Sequence, residues 1–379
     1  MKITDRFNRA IHPLMLRYVR HQYQKKIRMV RATHPESFGK ASKGCLKRHG
    51  DLWGRLAGSV DPTWLDLFCG VSGKEDFRFV PEDVFYGVIE RCLNNCEYNG
   101  AGVGDKSDGL FYMPPKYHPQ TIIRFVRGVW FGHDLSPISR ERAEQVLSDV
   151  RHDVVGKPTM KSCGGSNVLR FKAADGGLIN GNLRLSADWI EENFEGYVVQ
   201  ERIRQEPEAA SFNPASLNTC RLMSFRRPWS GETTVIGGMM RFGVTSAIID
   251  NIAHGGICSD IGPDGELGPF AVDYKFGKVF EHPVSKKPFA GFRIPFYREM
   301  CEAVCEVARS VPGFNLLSFD VVARPDGTPC IIEINDASMT LSQLQTRRPL
   351  FGDETERLVD WCVAHRAKYD VFNHVRTWY

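Results

Sequence analysis

Apolar and polar positions follow two different rhythms along this chain. Through residues 1–100 apolar side chains recur at three- and four-residue spacing, the period of one helix face. Phe7, Ile11, Leu14 and Tyr18 make the first such stripe and predict a core-facing helix. A stretch broken by Gly, Asp and Pro follows near 50–62. Pro81-Glu82-Asp83 then opens a helix through Leu93, because proline in the first turn followed by acids suits a helix N-terminus. The glycines Gly100, Gly102 and Gly104 mark a boundary. From Asp105 onward short β-rich runs alternate with helices. The runs include Asp153-Val154-Val155, Tyr197-Val198-Val199-Gln200, Cys220-Arg221-Leu222-Met223-Ser224-Phe225 and Thr234-Val235-Ile236. Between Glu299 and Val311 the apolar residues Met300, Ala303, Val304, Val307, Ala308 and Val311 keep helical period until Pro312-Gly313 stops it. There is no internal repeat and no low-complexity tract. The pattern predicts an α/β (α+β) enzyme-like layout.

At 379 residues the chain is long enough for two or three subdomains. Its 42% hydrophobic and 25% charged residues are ordinary for a folded protein and exclude a disordered or fibrous class. No apolar run approaches the ~20 residues of a membrane span, and Met1-Lys2-Ile3-Thr4-Asp5-Arg6 lacks the apolar stretch of a secretory signal. The eleven cysteines are an odd, scattered set. Cys92/Cys96 and Cys301/Cys305 share a helix face at most, so buried thiols are expected rather than a disulfide framework or zinc site. A cytoplasmic location is expected.

The net charge of +4 is unevenly spread. Arg20, Lys25, Lys26, Arg28, Arg31, Lys40, Lys43, Lys47 and Arg48 face only Glu36 and Asp51 in sequence. A solvated basic helix is the favoured reading, and a weak membrane-surface or polyanion contact is the other. RNA-stacking motifs are absent, and no nucleic-acid partner is expected.

The strongest chemical signal lies near the C-terminus. Leu316–Ala323 and Cys330–Asn335 both read as strands, joined by Arg324-Pro325-Asp326-Gly327-Thr328-Pro329. Asp-Gly favours a tight hairpin turn, and a turn centred on that pair sets Asp320 opposite Glu333 with Asn335 on the same face. Opposed residues have Cβ atoms ~4.5–5.5 Å apart, where like charges repel. Two carboxylates in apolar strands need a counter-ion, and Mg²⁺ suits oxygen ligands of this kind. Pro329 offers no amide to the ladder and could shift the register.

A paired-strand Asp followed by Glu-x-Asn resembles the magnesium site of the ATP-grasp superfamily. Further pieces fall in that superfamily's order. Asp105-Lys106 resembles the lysine-bearing entry to the nucleotide site. Lys157-Pro158 with Gly164-Gly165-Ser166 resembles the strand lysine and the glycine-rich loop over the phosphates. Val199-Gln200-Glu201-Arg202-Ile203 resembles the hinge that meets adenine, and Asn218-Thr219-x-Arg221 the strand that sends an arginine to the transferred phosphate. Asp250-Asn251 with Gly255-Gly256-Ile257, His282-Pro283, Ile294-Pro295 and Gln345 resemble the sugar-transfer-associated ATP-grasp family.

The resemblance implies an ATP-grasp fold with an additional, mainly helical N-terminal region over 1–100. It implies an N-terminal subdomain over 101–150 and a lid with glycine-rich loop and hinge over 151–225. A metal-binding subdomain over 226–350 and a helical tail over 351–379 complete the division. It implies ATP and Mg²⁺ as cofactors, metal ligands Asp320, Glu333 and Asn335, and ATP contacts from Lys106, Lys157, Gly164, Gly165, Ser166, Gln200, Glu201 and Ile203. Catalytic roles fall to Arg221, Lys157 and His254. The ribose contact is Glu206 or Glu208.

Each residue also has a plainer reading: a surface lysine for Lys157, an ordinary turn for Gly164-Gly165, a structural salt bridge for Arg221. A buried guanidinium needs anionic partners in any case. The polar run Asp250, Asn251, His254, Gly255 and Gly256 reads as a substrate-facing loop. His254 is placed there either as a general base, since imidazole titrates near ~6.5, or as a structural histidine. His282 reads as structural.

The implied reaction is carboxylate–amine ligation through an acyl phosphate. Its small-molecule carboxylate and amine partners are sugar-linked by association, as in the amidation of a uronic acid in cell-surface polysaccharide assembly. A kinase acting on a sugar or cyclitol hydroxyl, and an inactive nucleotide-binding scaffold, are the rival readings.

Overall fold

The computed structural model describes residues 3–94, 103–106, 111–160, 167–175, 177–244, 250–336 and 340–366, with side chains from Pro13 onward except that of Met15. The N-terminal region is helical: α1 (Ile3–Thr33), α2 (Lys43–Ala57), α3 (Thr63–Ser72) and α4, which runs over 82–93. Ser42 caps α2 by accepting from the Cys45 amide. In α4 the central turn Phe85–Ile89 is π-helical, and every residue from Phe79 to Asn94 is buried.

The stripe expected on α1 does not face the core where it can be followed. Leu14 and Tyr18 are 61% and 54% exposed, while Val19, Tyr23, Ile27 and Val30 are buried. The cause lies outside α1. Glu82 and Asp83 on α4 are buried acids, and a buried carboxylate needs a cation. Lys26 reaches Glu82 at 2.7 Å and Arg20 reaches Asp83 at 3.4 Å, which turns the Val19–Val30 side inward.

Two antiparallel sheets follow. The first contains β1 (Thr121–Val126), β2 (Val129–Phe131), β3 (Pro137–Ile138), β4 (Val154–Pro158), β5 (Leu169–Ala174), β6 (Gly177–Asn180), β7 (Leu183–Arg184) and β8 (Gly196–Glu201), in the order β3-β2-β1-β8-β4-β5-β6-β7. Ala143 and Leu147 of helix Arg140–Asp149 and Ile190 of helix Ala187–Asn193 pack on it with Ile123, Phe125, Val154 and Phe171.

The second sheet contains β9 (Cys220–Arg226), β10 (Thr233–Phe242), β11 (Ile257–Asp260), β12 (Ala271–Val272), β13 (Lys278–Val279), β14 (Leu316–Ala323) and β15 (Pro329–Asn335), ordered β13-β12-β11-β10-β9-β14-β15. Helix Tyr297–Ser310 packs Met300, Ala303, Val304 and Val307 against Leu222, Leu317 and Phe319 on one face. α4 packs Val84, Phe85 and Ile89 near Met223, Phe225 and Leu316 on the other.

Sheet membership departs from the expected divisions. Strands on both sides of residue 150 form one sheet, and β9, assigned by sequence to the lid, belongs with β14 and β15. Turn residues mark where strands end, whereas partner choice is non-local and leaves no local signal. Every cysteine among the described residues is a free thiol. No described helix is long and apolar enough to cross a membrane.

The β14–β15 hairpin pairs Asp320 with Glu333 and Ser318 with Asn335, by a different route from a two-residue Asp-Gly turn. The Arg324 amide donates to Thr328 and the Gly327 amide to Arg324, giving a three-residue loop with Gly327 at φ +85°. That loop pairs Ala323 with Pro329, one residue off the expected register. A bulge at Ile332, between the Asp320 and Val321 pairings, restores it.

Candidate active site

Strand period and register place the charged residues on one face of the second sheet. Arg221 on β9 lies opposite Asp320 on β14, which lies opposite Glu333 on β15. Asp320 is buried, and its two oxygens accept from Nε and Nη2 of Arg221, each at 2.9 Å. Nη2 of Arg241, on β10, donates to it as well at 2.9 Å. Burial alone would raise this carboxyl, but the charges and hydrogen bonds of the two arginines outweigh it and hold it at about 2. The counter-ions of Asp320 are therefore two guanidinium groups, where the sequence reading supplied a metal.

The arginines are held from further out. Nε and Nη2 of Arg241 donate to the Thr219 hydroxyl oxygen at 3.0 and 2.6 Å. Asp250 accepts from the Thr219 amide at 3.1 Å and from its hydroxyl, and lies 3.5 Å from Arg241. Nη1 of Arg221 donates to the Thr340 hydroxyl at 3.2 Å. Thr340 sits at φ +57°, a costly place for a β-branched residue.

Two lysines face this row. The Lys106 amide donates to Thr159 just beyond β4, and its Nζ donates to Oε1 of Glu333 at 2.9 Å, so the residue ties one sheet to the other. Lys157 on β4 is 6% exposed and has no hydrogen-bond or salt-bridge partner among the described residues. Burial, aided by the positive charge of Lys106, lowers its ammonium to about 8, with Glu333, Cys330 and Asp320 pulling the other way. Among the described residues Lys106, Lys157, Arg221 and Arg241 thus meet Asp250, Asp320 and Glu333, and the positive charge left without a bonded partner is that of Lys157.

The donors that remain suit a magnesium ion held by few protein groups. Glu333 is half-buried and, among the described residues, bonded through Oε1 alone. Among the described residues Asn335 has a buried amide nitrogen without a partner, and the hydroxyl of Ser318, opposite it, is buried without one too. One carboxylate and one amide fit the usual Mg²⁺ pattern, in which one or two protein carboxylates are completed by the phosphates of a bound substrate. Asp320 enters such a site only by releasing a guanidinium. Among the described residues no three His, Cys, Asp or Glu side chains form a ready-made metal cage.

The other sequence candidates divide. Gln200 is buried, donating to Thr121 at 3.2 Å, while Glu201 and Ile203 are half-buried at the strand end where the first sheet meets the second. The Glu206 amide makes that junction by donating to Ala323. Both Glu206 oxygens accept from the amides of Glu208 and Ala209, which commits the side chain to capping and leaves exposed Glu208 as the remaining ribose candidate. Gly164, Gly165 and Ser166 lie outside the described residues.

In the 250–256 loop only Asp250 reaches the charged row. Asn251 accepts from the Ala253 amide at 2.8 Å, and His254 is exposed. Gly255 sits at φ +93°, and a Cβ on Gly256 would lie 2.5 Å from the Asp250 carbonyl, so the turn needs both glycines. His282 is structural: Nε2 donates to the Gly243 carbonyl at 2.9 Å and Nδ1 accepts from the Ser285 amide at 3.1 Å.

Sequence reasoning missed Arg241, Thr340 and Ser318. Arg241 carried the same signal as Arg221, a lone arginine in the apolar run Met239-Met240-Arg241-Phe242. Thr340 and Ser318 carried none, because only tertiary placement brings a hydroxyl to the row.

A family model described as sugar-transfer associated ATP-grasp matches residues 118–356. No curated protein matches the chain. Among solved structures, the chain is similar to a VanG D-Ala:D-Ser ligase from Enterococcus faecalis at 11% identity and TM-score 0.39, covering 70% of this chain and 62% of that one. It is similar to an L-amino acid ligase from Bacillus licheniformis at 12% identity and TM-score 0.33, covering 64% and 42%. It is also similar to an N5-carboxyaminoimidazole synthetase from Staphylococcus aureus solved with ADP, at 10% identity and TM-score 0.35, covering 66% and 53%. The chain spans less than two thirds of the length of each.

Proposed function

The chain belongs to the sugar-transfer associated ATP-grasp family, and on that premise we propose that it is an ATP-dependent ligase that joins a carboxylate to an amine through an acyl phosphate. The observation that carries the reading is Lys157, a buried ammonium with no hydrogen-bonded or salt-bridged anion among the described residues, beside a second lysine and across from a carboxylate–amide pair. Burying an unpaired charge costs several kcal/mol unless a ligand supplies its partner. A triphosphate is such a ligand.

In this reading Lys157 and Lys106 bind the phosphates, with Gly164, Gly165 and Ser166 closing over them and Gln200, Glu201 and Ile203 framing adenine. Glu333 and Asn335, with Asp320 behind them, would hold Mg²⁺. Bound there, the ion supplies charge neutralisation of the phosphate oxygens. Asp320 fixes the planes of Arg221 and Arg241 so that their positive charge faces the moving phosphoryl group without reorganisation. A carboxylate oxygen of the substrate attacks the γ-phosphorus, and the bond to the β-phosphate oxygen breaks with its electron pair leaving on ADP. The amine nitrogen then attacks the acyl carbon, phosphate departs, and the ammonium formed loses a proton. Asp250, Asn251, His254, Gly255 and Gly256 lie toward the acceptor, and exposed His254 is free to take that proton. The family's association with sugar transfer supports a sugar-linked carboxylate such as a uronic acid, within cell-surface polysaccharide assembly.

The test offers uronic acids with MgATP and hydroxylamine as surrogate amine. A ligase yields hydroxamate and phosphate in equal amounts. A phosphorylated sugar without hydroxamate identifies a kinase instead, and ATP binding with no turnover on any acid or sugar identifies a scaffold.

A further inference from the structure

The outward face of α1 is a charged surface that takes no part in the candidate active site. Leu14, Arg17, Tyr18, His21, Lys25, Arg28 and Met29 all lie on it at helical spacing, and all are exposed. The opposite side of the helix, through Val19, Tyr23, Ile27 and Val30, is already buried. Arg20 and Lys26 are spent on Asp83 and Glu82, and Arg31 lies 3.6 Å from Asp66. Arg17, Lys25 and Arg28 have no salt-bridge partner among the described residues. Neither Asp nor Glu occurs anywhere between Arg6 and Pro35. From Leu14 to Ala32 the face is about 27 Å long at 1.5 Å per residue.

We propose that this face docks on an anionic lipid surface, with Leu14, Tyr18 and Met29 entering the headgroup boundary and Arg17, Lys25 and Arg28 meeting lipid phosphates. Two properties select lipid over other polyanions. The cations Arg17, Lys25 and Arg28 share one helix face with Leu14, Tyr18 and Met29, which flank them toward either end, and such a mixture is the composition of an interfacial helix. The opposite side of the helix is held in the core by Val19, Tyr23, Ile27 and Val30, so the exposed side offers a convex helix face rather than a groove that tracks a nucleic-acid backbone. Lysine and arginine close to an anionic membrane each add attraction that salt screens. The surface is separate from the lysines and arginines of the candidate active site, so docking leaves the nucleotide site open.

Co-sedimentation of the full chain with vesicles tests this. The wild type is expected to pellet with phosphatidylcholine–phosphatidylglycerol vesicles at low salt, to be released as salt rises, and to stay in solution with phosphatidylcholine alone. An Arg17→Glu, Lys25→Glu, Arg28→Glu triple variant is expected to lose roughly 100-fold in partitioning. A Leu14→Ser, Tyr18→Ser double variant is expected to bind more weakly with its salt dependence retained. All five positions are exposed, so melting temperature and ATP binding should match the wild type. Wild-type protein that ignores anionic vesicles, or a triple variant that binds as well as the wild type, overturns the proposal. Tighter binding to a nucleic-acid duplex than to anionic vesicles overturns it in favour of the other polyanion.

Discussion

Lys157 carries two opposed consequences. Its ammonium is lowered to about 8 from an ordinary 10.5. Between those values the unfolded chain binds the proton more readily, so this group adds stability as pH rises through that window. At pH 7 its burial costs about 3 kcal/mol, taking ~1.4 kcal/mol per unit. Lys157→Met is therefore expected to melt at a higher temperature than wild type when no ligand is present. Phosphate binding should raise the lysine again and take up a proton. ATP affinity is then expected to be flat below about pH 7 and to fall by up to roughly tenfold per unit above about pH 8. Calorimetry across that range checks it, and a flat wild-type profile contradicts it. Asp320 works with the opposite sign. Its carboxyl is depressed, so its contribution is present above pH 3.8 and is lost as pH falls through about 2. Asp320→Asn leaves Arg221 and Arg241 buried with a neutral partner, and a loss of about 3–5 kcal/mol is expected in urea unfolding. A loss under about 1 kcal/mol would show the cluster to be better solvated than its burial indicates.

The hairpin shows how far a local pattern can be read. Apolar alternation and a turn rich in Pro, Asp and Gly were enough to place β14 and β15 and to set Asp320 against Glu333. The means were not legible. Pro325 favours the first position of a three-residue loop over the two-residue turn. The offset this creates is cancelled at Ile332, which no local signal marks as a bulge. Gly327 holds the arrangement at φ +85°, and a Cβ there would come within 2.6 Å of the Phe296 ring. Gly327→Ala is expected to cost more than about 1 kcal/mol by thermal or urea unfolding. It should also weaken Mg²⁺-dependent ATP binding, because the register that aligns Glu333 depends on the loop. An alanine variant with wild-type stability would mean the loop has another conformation open to it.

At the scale of the whole molecule, the helical region over 3–94 is part of the site's support. α4 is buried throughout and covers the sheet face at Met223, Phe225 and Leu316, one pleat from the charged row. Asn94 locks it there, donating to the Leu316 carbonyl at 2.8 Å and accepting from the Leu316 amide at 2.9 Å. The sequence showed that this region was helical and where α4 began. It did not show which side of α1 faced inward, because that depends on Glu82 and Asp83 meeting Lys26 and Arg20 across more than fifty residues. A chain starting at Pro81 is expected to be insoluble or aggregated by size-exclusion chromatography, since the core shared by α1, α3 and α4 would be open. The central claim is that a nucleotide triphosphate supplies the anion that Lys157 does not bond among the described residues, and calorimetric titration of MgATP into wild type and Lys157→Met at pH 7 tests it most directly. Saturable binding to the wild type, weakened at least ~100-fold in a Lys157→Met protein that is folded and melts higher, is the expected result. Equal affinity in the two proteins would contradict it and return Lys157 to the role of an ill-placed structural lysine.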